Sequence, residues 1–308
     1  MTDTSLANAT AEIEAVLRGT ARAPQVTAFF DEPTFTVTYV VSDRQTNRAA
    51  IIDSVWDFDH AAGRTSFASA DTIVAHVEAE ALAVDWILET HAHADHLSAA
   101  PYLQQKLGGL LAIGREIVTV QGVFGTIFNE GTEFARDGSQ FDRLLDDGDT
   151  LMIGEIPLVA LHVPGHTPAD MAYVIGDALF TGDTMFMPDY GSARCDFPGG
   201  DAHHLYRSVR RLMKLPDATR VFLCHDYKAP GRDAFAWETT ILAERTANVH
   251  IDERVTEDEF VTMRTARDKT LSMPKLILPA LQVNMRAGHL PPPEENGIRY
   301  LTLPLDVL

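Results

Sequence analysis

Residues 89–96 read Glu89-Thr90-His91-Ala92-His93-Ala94-Asp95-His96. A short apolar strand, Val84 to Leu88, runs into them, and a helix is predicted over 96–107, ending at Gly108-Gly109. Three of the chain's 12 histidines fall within six residues, around one Asp. Crowded imidazoles are costly unless something neutralises or uses them. Imidazole nitrogen and carboxylate oxygen are ligands for zinc, iron or manganese. Two His separated by one residue can aim at one ion from a bend. Asp95 and His96, further round the bend, can face a second ion or a substrate.

Three more segments supply matching donors. Val163-Pro164-Gly165-His166-Thr167-Pro168 puts a His in a tight turn after a strand. Phe180-Thr181-Gly182-Asp183-Thr184 puts an Asp directly after an apolar strand, and Leu223-Cys224-His225-Asp226 does the same with a His. Strand ends are where ligands gather in mixed α/β folds. Each of these residues alone could be a capped loop residue; together with 89–96, in this order, they form a metal-ligand set.

Outward from these segments the period of the sequence changes several times. Helical spacing over 10–18 suggests a loosely docked first helix. Segments 25–30, 34–42 and 48–54 are rich in Val, Ile, Thr, Phe and Tyr and read as antiparallel strands joined by turns. Residues 69–82 open on a Ser cap and place Ile73, Val74, Val77 and Ala81 on one face of a helix. Strands are predicted at 110–113, 150–153, 156–163, 171–175, 178–181 and 220–224, and helices near 115–128, 201–213 and 235–247. The stretch 118–128 reads as a core helix. The tail from Pro274, with Pro291-Pro292-Pro293, reads as an irregular wrap. Strands first and then alternation implies two mixed sheets with helices outside, an α/β fold.

Composition sets the outer bounds. The 308 residues, 45% of them apolar, allow one large domain or two small ones. A chain of this length buries roughly three quarters of its unfolded surface and needs no disulfide to fold. The net charge of −19 argues against nucleic acid or an anionic membrane as partner. No apolar run approaches the roughly 18 residues of a spanning helix. Residues 1–20 lack the basic start and apolar centre of a secretory signal. Cys195 and Cys224 are the two cysteines, with no C-x-x-C pair, which fits a reducing cytoplasm. A cytoplasmic protein is therefore expected, and by base rate a homo-oligomer.

The motif set H-x-H-x-D-H, then Gly-His, Gly-Asp and a late His, resembles the metallo-β-lactamase superfamily. The resemblance covers roughly residues 25–250 and implies an αββα sandwich with the metal at one edge of the two sheets. It leaves 1–24 as an N-terminal extension and 251–308 as a C-terminal helix and wrapping tail on the same domain. In the dinuclear hydrolases of the superfamily, His91, His93 and His166 would hold one ion. Asp95, His96 and His225 would hold the other, with Asp183 bridging. All seven positions are filled, so the ligand pattern alone is compatible with one metal or two.

The segment Gly191-Ser192-Ala193-Arg194-Cys195-Asp196-Phe197 is similar to the Gly-x-x-Arg-x-Asp-Phe of persulfide dioxygenases, where glyoxalase II enzymes continue with Phe-Phe-Glu-Gly. Gln282-Val283-Asn284-Met285-Arg286-Ala287-Gly288 resembles the Asn-Met-Arg-x-Gly of the same family. Its bacterial β-lactamase hydrolase-like branch also matches Gly138-Ser139-Gln140-Phe141 and Pro292-Pro293-Glu294-Glu295-Asn296-Gly297. Cys195 departs from the mitochondrial type, which has Thr there.

The resemblance implies one Fe(II) per chain, held by His91, His166 and Asp183. Two imidazoles and a carboxylate on one face suit non-haem iron and oxygen. The implied substrates are glutathione persulfide and O2, and the implied products are sulfite and glutathione. His93, Asp95, His96, Asp196 and His225 would then orient the ligands and hold charge near the oxygen. Glutathione is anionic, so a local basic pocket must offset the chain's charge. The candidates for substrate binding are Arg194, Arg286, the run Arg264-x-x-Arg267-x-Lys269, and Tyr227 and His250 after the late His. Cys195 beside Arg194 could carry sulfur as a thiolate, but packing is the favoured reading, and more strongly so for Cys224. Two alternatives stand: a hydrolase of glutathione thioesters with two Zn(II) per chain, and a non-enzymatic sulfur- or metal-sensing protein.

Overall fold

The computed structural model describes residues 3–307. The chain opens with α1 (Thr4–Leu17) and the strands β1 (Gln25–Asp31), β2 (Thr36–Asp43) and β3 (Arg48–Ile52). A hairpin, β4 (Val55–Asp59) and β5 (Arg64–Ser66), precedes α2 (Ala68–Ala79), β6 (Ala83–Leu88) and the two-residue β7 (Leu97–Ser98). Then come α3 (Ala100–Leu107), β8 (Leu110–Gly114), α4 (Ile117–Ile127) and β9 (Arg143–Leu145). The second half holds β10 (Thr150–Ile153), β11 (Ile156–His162), β12 (Met171–Ile175), β13 (Ala178–Phe180), α5 (Ala202–Leu212), β14 (Arg220–Phe222) and β15 (Glu238–Thr240). It closes with α6 (Ile241–Ala247), α7 (Glu257–Asp268) and α8 (Ile277–Asn284).

Two six-stranded sheets result, ordered β1-β2-β3-β6-β8-β9 and β10-β11-β12-β13-β14-β15, with a small sheet β5-β4-β7 at one side. The early meander β1–β3 is antiparallel; β3, β6, β8 and β9 run parallel, as does the pair β13–β14. β2 is buried along all eight residues because both of its faces are covered. The layer between the sheets is filled by Val37, Tyr39, Ile52, Leu88, Tyr173, Phe180 and Phe222 among others. A second cluster packs the first sheet under α2, α3, α4 and α8, and a third packs the other sheet under α1, α5 and α7. Helix, sheet, sheet, helix is the αββα sandwich expected from the sequence. Among the described residues no helix is long and apolar enough to cross a membrane.

Several local readings change. The first helix is longer than 10–18 and is firmly docked: Leu6, Ala9 and Ile13 are buried, and Arg211 joins Asp3, whose carboxylate caps the helix at Leu6 N. Ser69 does not cap α2; the helix starts after Phe67, and Ser69 Oγ instead donates to Asp57 Oδ1 at 2.6 Å. The stretch 96–107 yields β7 before the helix, since Leu97 and Ser98 pair with Val55 and Trp56. The stretch 235–247 yields β15 before α6, with Thr240 capping the helix at Ala243 N. The tail is not wholly irregular: Ile277–Asn284 is a helix whose Pro279 sits in the first turn, where its missing N–H costs nothing.

Candidate metal centre

All the metal-type donors lie on loops leaving the same edge of the two sheets. The 89–96 loop follows β6, His166 follows β11, Asp183 follows β13 and His225 follows β14. Thr90 anchors the first loop: its N and Oγ1 donate to Asp53 at 2.7 and 2.9 Å, and Met171 N donates to its carbonyl from the other sheet. Gly182, at φ 51°, allows the Asp183 loop to come this close, because a Cβ there would lie 2.6 Å from Thr90 Oγ1. Gly165 serves the His166 turn in the same way, pressed against the backbone of Leu205. Asp170 shapes that turn by accepting from Thr167 N at 2.7 Å; burial pushes its carboxyl up to about 6.

The ring orientations are fixed from behind. His166 Nδ1 donates to the Arg194 carbonyl at 2.7 Å, which leaves Nε2 facing Asp183 Oδ2 at 3.4 Å. His91 Nδ1 meets Thr90 Oγ1 at 3.0 Å, and its Nε2 lies 3.8 Å from the same Asp183 oxygen. His225 Nδ1 donates to the Phe35 carbonyl at 3.1 Å, and its Nε2 is 3.3 Å from Asp183 Oδ1 and 3.4 Å from Asp95 Oδ2. His96 Nδ1 sits by Thr36 and Asp95. His93 is turned the other way: its Nε2 donates to Asp53 at 3.0 Å and lies 3.4 Å from Glu89, so its Nδ1 points into the centre.

Five buried polar atoms are left without a partner here: Nε2 of His91, His96 and His225, Nδ1 of His93, and Oδ1 of Asp183. Each orphan of this kind costs about 1–3 kcal/mol. A metal ion at His91, His166 and Asp183 would satisfy two of them and a second ion beside Asp95 the rest, so these residues fit bound metal. His91, His166 and Asp183 bring their ligand atoms within 4.8 Å of one another, and His93, Asp95 and His96 do likewise. Burial, with His93 and His166 nearby, holds His91 well below the usual imidazole range, the neutral form a ligand needs. Burial opposes the charge on Asp95, but His225 and His96 outweigh it and hold its carboxyl well below the usual range. Burial likewise opposes protonation of His93, yet Asp53 and Glu89 outweigh it and raise the ring.

A cavity of about 500 Å³ opens from Asp95, His166 and Asp183. Phe35, Phe58, Phe186, Tyr190, Phe197 and Tyr227 form its aromatic walls. Tyr227 lies against His225, ring centres 5.7 Å apart. Arg194 also lines the cavity; it lies over Phe197 at 4.8 Å, grips Asp196 at 2.7 and 2.9 Å and donates to the Ser272 carbonyl. Asp196 does not line the cavity, and its carboxylate is taken up by Arg194. From the basic run, Arg264 is buried on Asp268 and the Ser192 carbonyl, Arg267 reaches the mouth, and Lys269 does not.

Two expected substrate contacts sit elsewhere. His250 is outside the lining; its Nδ1 accepts from Ser192 N at 3.0 Å, and burial with Arg264 and Arg267 pushes the ring down to about 4. Arg286 is buried on Glu130 and over the Phe134 ring at 4.3 Å. His250 was marked by its place after the late His and Arg286 by its place in the Asn-Met-Arg-x-Gly stretch, and neither lines the cavity. Cys195 donates from its amide and thiol to Asp268 at 3.0 and 3.5 Å. Burial and Asp268 push that thiol up to about 12, so Arg194 does not make it a thiolate. The sequence reading missed Asp53, Glu89, Thr36, Tyr190 and Lys275. Asp53 and Glu89 had a signal, each an acid directly after an apolar run, Ala49–Ile52 and Val84–Leu88.

Comparison with known proteins accords with this geometry. The model of the metallo-β-lactamase superfamily matches residues 31–225, more than half of the chain. A probable metallo-hydrolase of Burkholderia pseudomallei is 57% identical over 92% of this chain and 99% of its own. Glyoxylase B2 of Dictyostelium discoideum is 47% identical over 87% and 92%, and the mitochondrial persulfide dioxygenase ETHE1 of Bos taurus is 29% identical over 86% and 89%. Among solved structures, ETHE1 from Myxococcus xanthus superimposes with a TM-score of 0.68 at 28% identity, covering 86% of this chain and all of that one. A family match of that span, joined by a relative sharing more than half its residues across nearly its whole length, leaves one assignment: the chain belongs to the metallo-β-lactamase superfamily.

Proposed function

We propose that this protein is a persulfide dioxygenase that oxidises glutathione persulfide at a single Fe(II) held by His91, His166 and Asp183. The observation that carries the reading is the convergence of those three side chains, two imidazoles and one carboxylate, at the end of a cavity lined by Arg194 and Phe197. The likeness to ETHE1 in sequence and in fold supports it. When bound, Fe(II) supplies electrons and the open positions that sulfur and oxygen chemistry requires. The overall change consumes one O2 and one water per persulfide. The S–S bond breaks, the outer sulfur leaves as sulfite and the inner sulfur as the thiol of glutathione.

The chain's own residues bind, orient and shield. The Arg194 carbonyl and Thr90 hydroxyl fix the imidazoles of His166 and His91. Asp95, with His96 and His225 on its carboxylate, would hold charge and hydrogen bonds near the reacting sulfur, while His93 stays tied to Asp53 and Glu89. Tyr227 and the other rings wall the cavity and limit the water that reaches it. Arg194, kept in place by Asp196, and the exposed Arg267 and Lys275 face the carboxylates of glutathione.

A second reading has its own observation. Nε2 of His96 and of His225 are unpartnered beside Asp95, a donor set for a second ion. With two Zn(II) the site would hydrolyse glutathione thioesters, in line with the name of the Dictyostelium relative. Elemental analysis of active protein, made with iron available and purified without oxygen, separates the two. One iron per chain is expected; two tightly bound zincs, both needed for activity, would overturn the proposal.

A further inference from the structure

The histidine loop is held from a distant part of the chain. α8 packs beside β7, and Asn284, at its last turn, is buried to 4% exposure. Its Nδ2 donates to the carbonyls of His93 and His96, both at 2.8 Å, and its Oδ1 accepts from Ser98 N at 2.8 Å. The side-chain amide therefore uses both hydrogens and its oxygen on one loop. The two carbonyls belong to the residues whose rings present unpartnered Nδ1 and Nε2 to the centre. Ser98 continues the circuit: its Oγ donates to Glu89, which lies 3.4 Å from His93 Nε2. The loop is thus gripped at its backbone and, through Ser98 and Glu89, at the ring of His93.

α8 is itself anchored next to Asn284 by Gln121, and through Gln282 it in turn holds the tail. Gln121 of α4 donates to the Met285 carbonyl at 2.9 Å, and Gln282 pairs with the backbone of Thr302 at 2.8 and 3.0 Å. The grip on the loop therefore comes from a fixed support and not from a free side chain.

We infer that Asn284 is a positioning residue of the metal centre, setting the aim of His93 and His96 through their backbone carbonyls. The inference rests on the metal reading of the site and holds for iron or zinc chemistry alike. Only an amide of this length can donate to two carbonyls and accept from an N–H at once. In Asn284→Asp the shape is kept, but a carboxylate faces two carbonyl oxygens with no hydrogen to give.

Co(II) is the probe, because its visible absorption reports ligand geometry without any turnover. The metal-free full chain is titrated with Co(II) for the parent, Asn284→Asp, Asn284→Ser and the control Gln282→Ala. The two Asn284 variants are expected to bind Co(II) more weakly, by the 10- to 100-fold typical of groups that orient ligands, with a changed spectrum. Gln282→Ala, which loosens the tail from the same helix, keeps the parent spectrum and affinity. The melting point of each metal-free variant is measured alongside, and Asn284→Ser decides the matter should the carboxylate variant fail to fold. Parent-like affinity and spectrum in a folded Asn284 variant would overturn the inference. So would a spectral change of equal size in Gln282→Ala. A parent that binds no Co(II) would instead overturn the metal reading itself.

Discussion

At the floor of the cavity five histidines and Asp95 are held by hydrogen bonds and Asp183 by its glycine-preceded loop, and all but Asp95 are buried; at its mouth Phe35 and Tyr227 stay 36% and 37% exposed. The cations differ in the same way. Arg194 and Arg264 are tied to Asp196 and Asp268, whereas Arg267 and Lys275 have no acidic partner within 4.0 Å among the described residues. The floor is preorganised, so each donor has one orientation and its loss cannot be repaired by a neighbour. The mouth is built from side chains free to adapt, so in the proposed dioxygenase it would tune which anion enters and contribute little to the chemistry itself.

The sharpest break between the two regions is Asp183→Ala. It leaves two imidazoles to hold Fe(II) against water. Loss of bound metal and of oxygen uptake to the background level is expected, read by elemental analysis and an oxygen electrode. Retained iron would show that the floor has a spare ligand.

Asp95→Asn probes the same floor without removing a proposed iron ligand. The amide keeps the shape and still accepts from Thr36 Oγ1, but it loses the charge beside His225. Iron content near the parent's is expected, with a rate lower by about 10- to 100-fold. A metal content halved together with a lost thioesterase activity would move the assignment to the dinuclear hydrolase.

At the mouth the effects shrink. Arg267→Ala and Lys275→Ala should each raise KM for glutathione persulfide about two- to fivefold, as fits the 0.2–1 kcal/mol of an exposed charge pair, with kcat nearly unchanged. The increase should fade as salt screens the parent. A fall in kcat instead would place these cations at the reacting atoms. Cys195→Ser is the smallest expected change: its thiol is buried on Asp268 and pushed up to about 12, so turnover should stay near the parent's. Activity abolished with iron still bound would make Cys195 part of the chemistry.

The contrast between floor and mouth also explains what could be read from the sequence. The seven donors stand out because metal chemistry admits few residue types and strand ends restrict where they fall: eight residues after β6 carry four of them. The mouth has no such grammar. Arg286 and Lys275 look alike in sequence, and only folding shows that Glu130 and Phe134 cover the first while the second faces the cavity. In the fold, alternating apolar runs such as 36–43 declare themselves. β15 hides in the polar Glu238-Thr239-Thr240, which is a strand only because Arg220–Phe222 offers an edge to pair with. α8 is masked by Pro274 and Pro279, which suggest a break where a helix begins.

Oxygen chemistry on sulfur at one iron is what separates the proposed enzyme from a zinc hydrolase. Its most direct test is the stoichiometry of the reaction of the iron-loaded protein with glutathione persulfide, following O2 consumed and sulfite formed. One sulfite per O2 is predicted, with no such reaction from the zinc-loaded protein. No oxygen uptake by the iron form, alongside hydrolysis of lactoylglutathione by the zinc form, would contradict it.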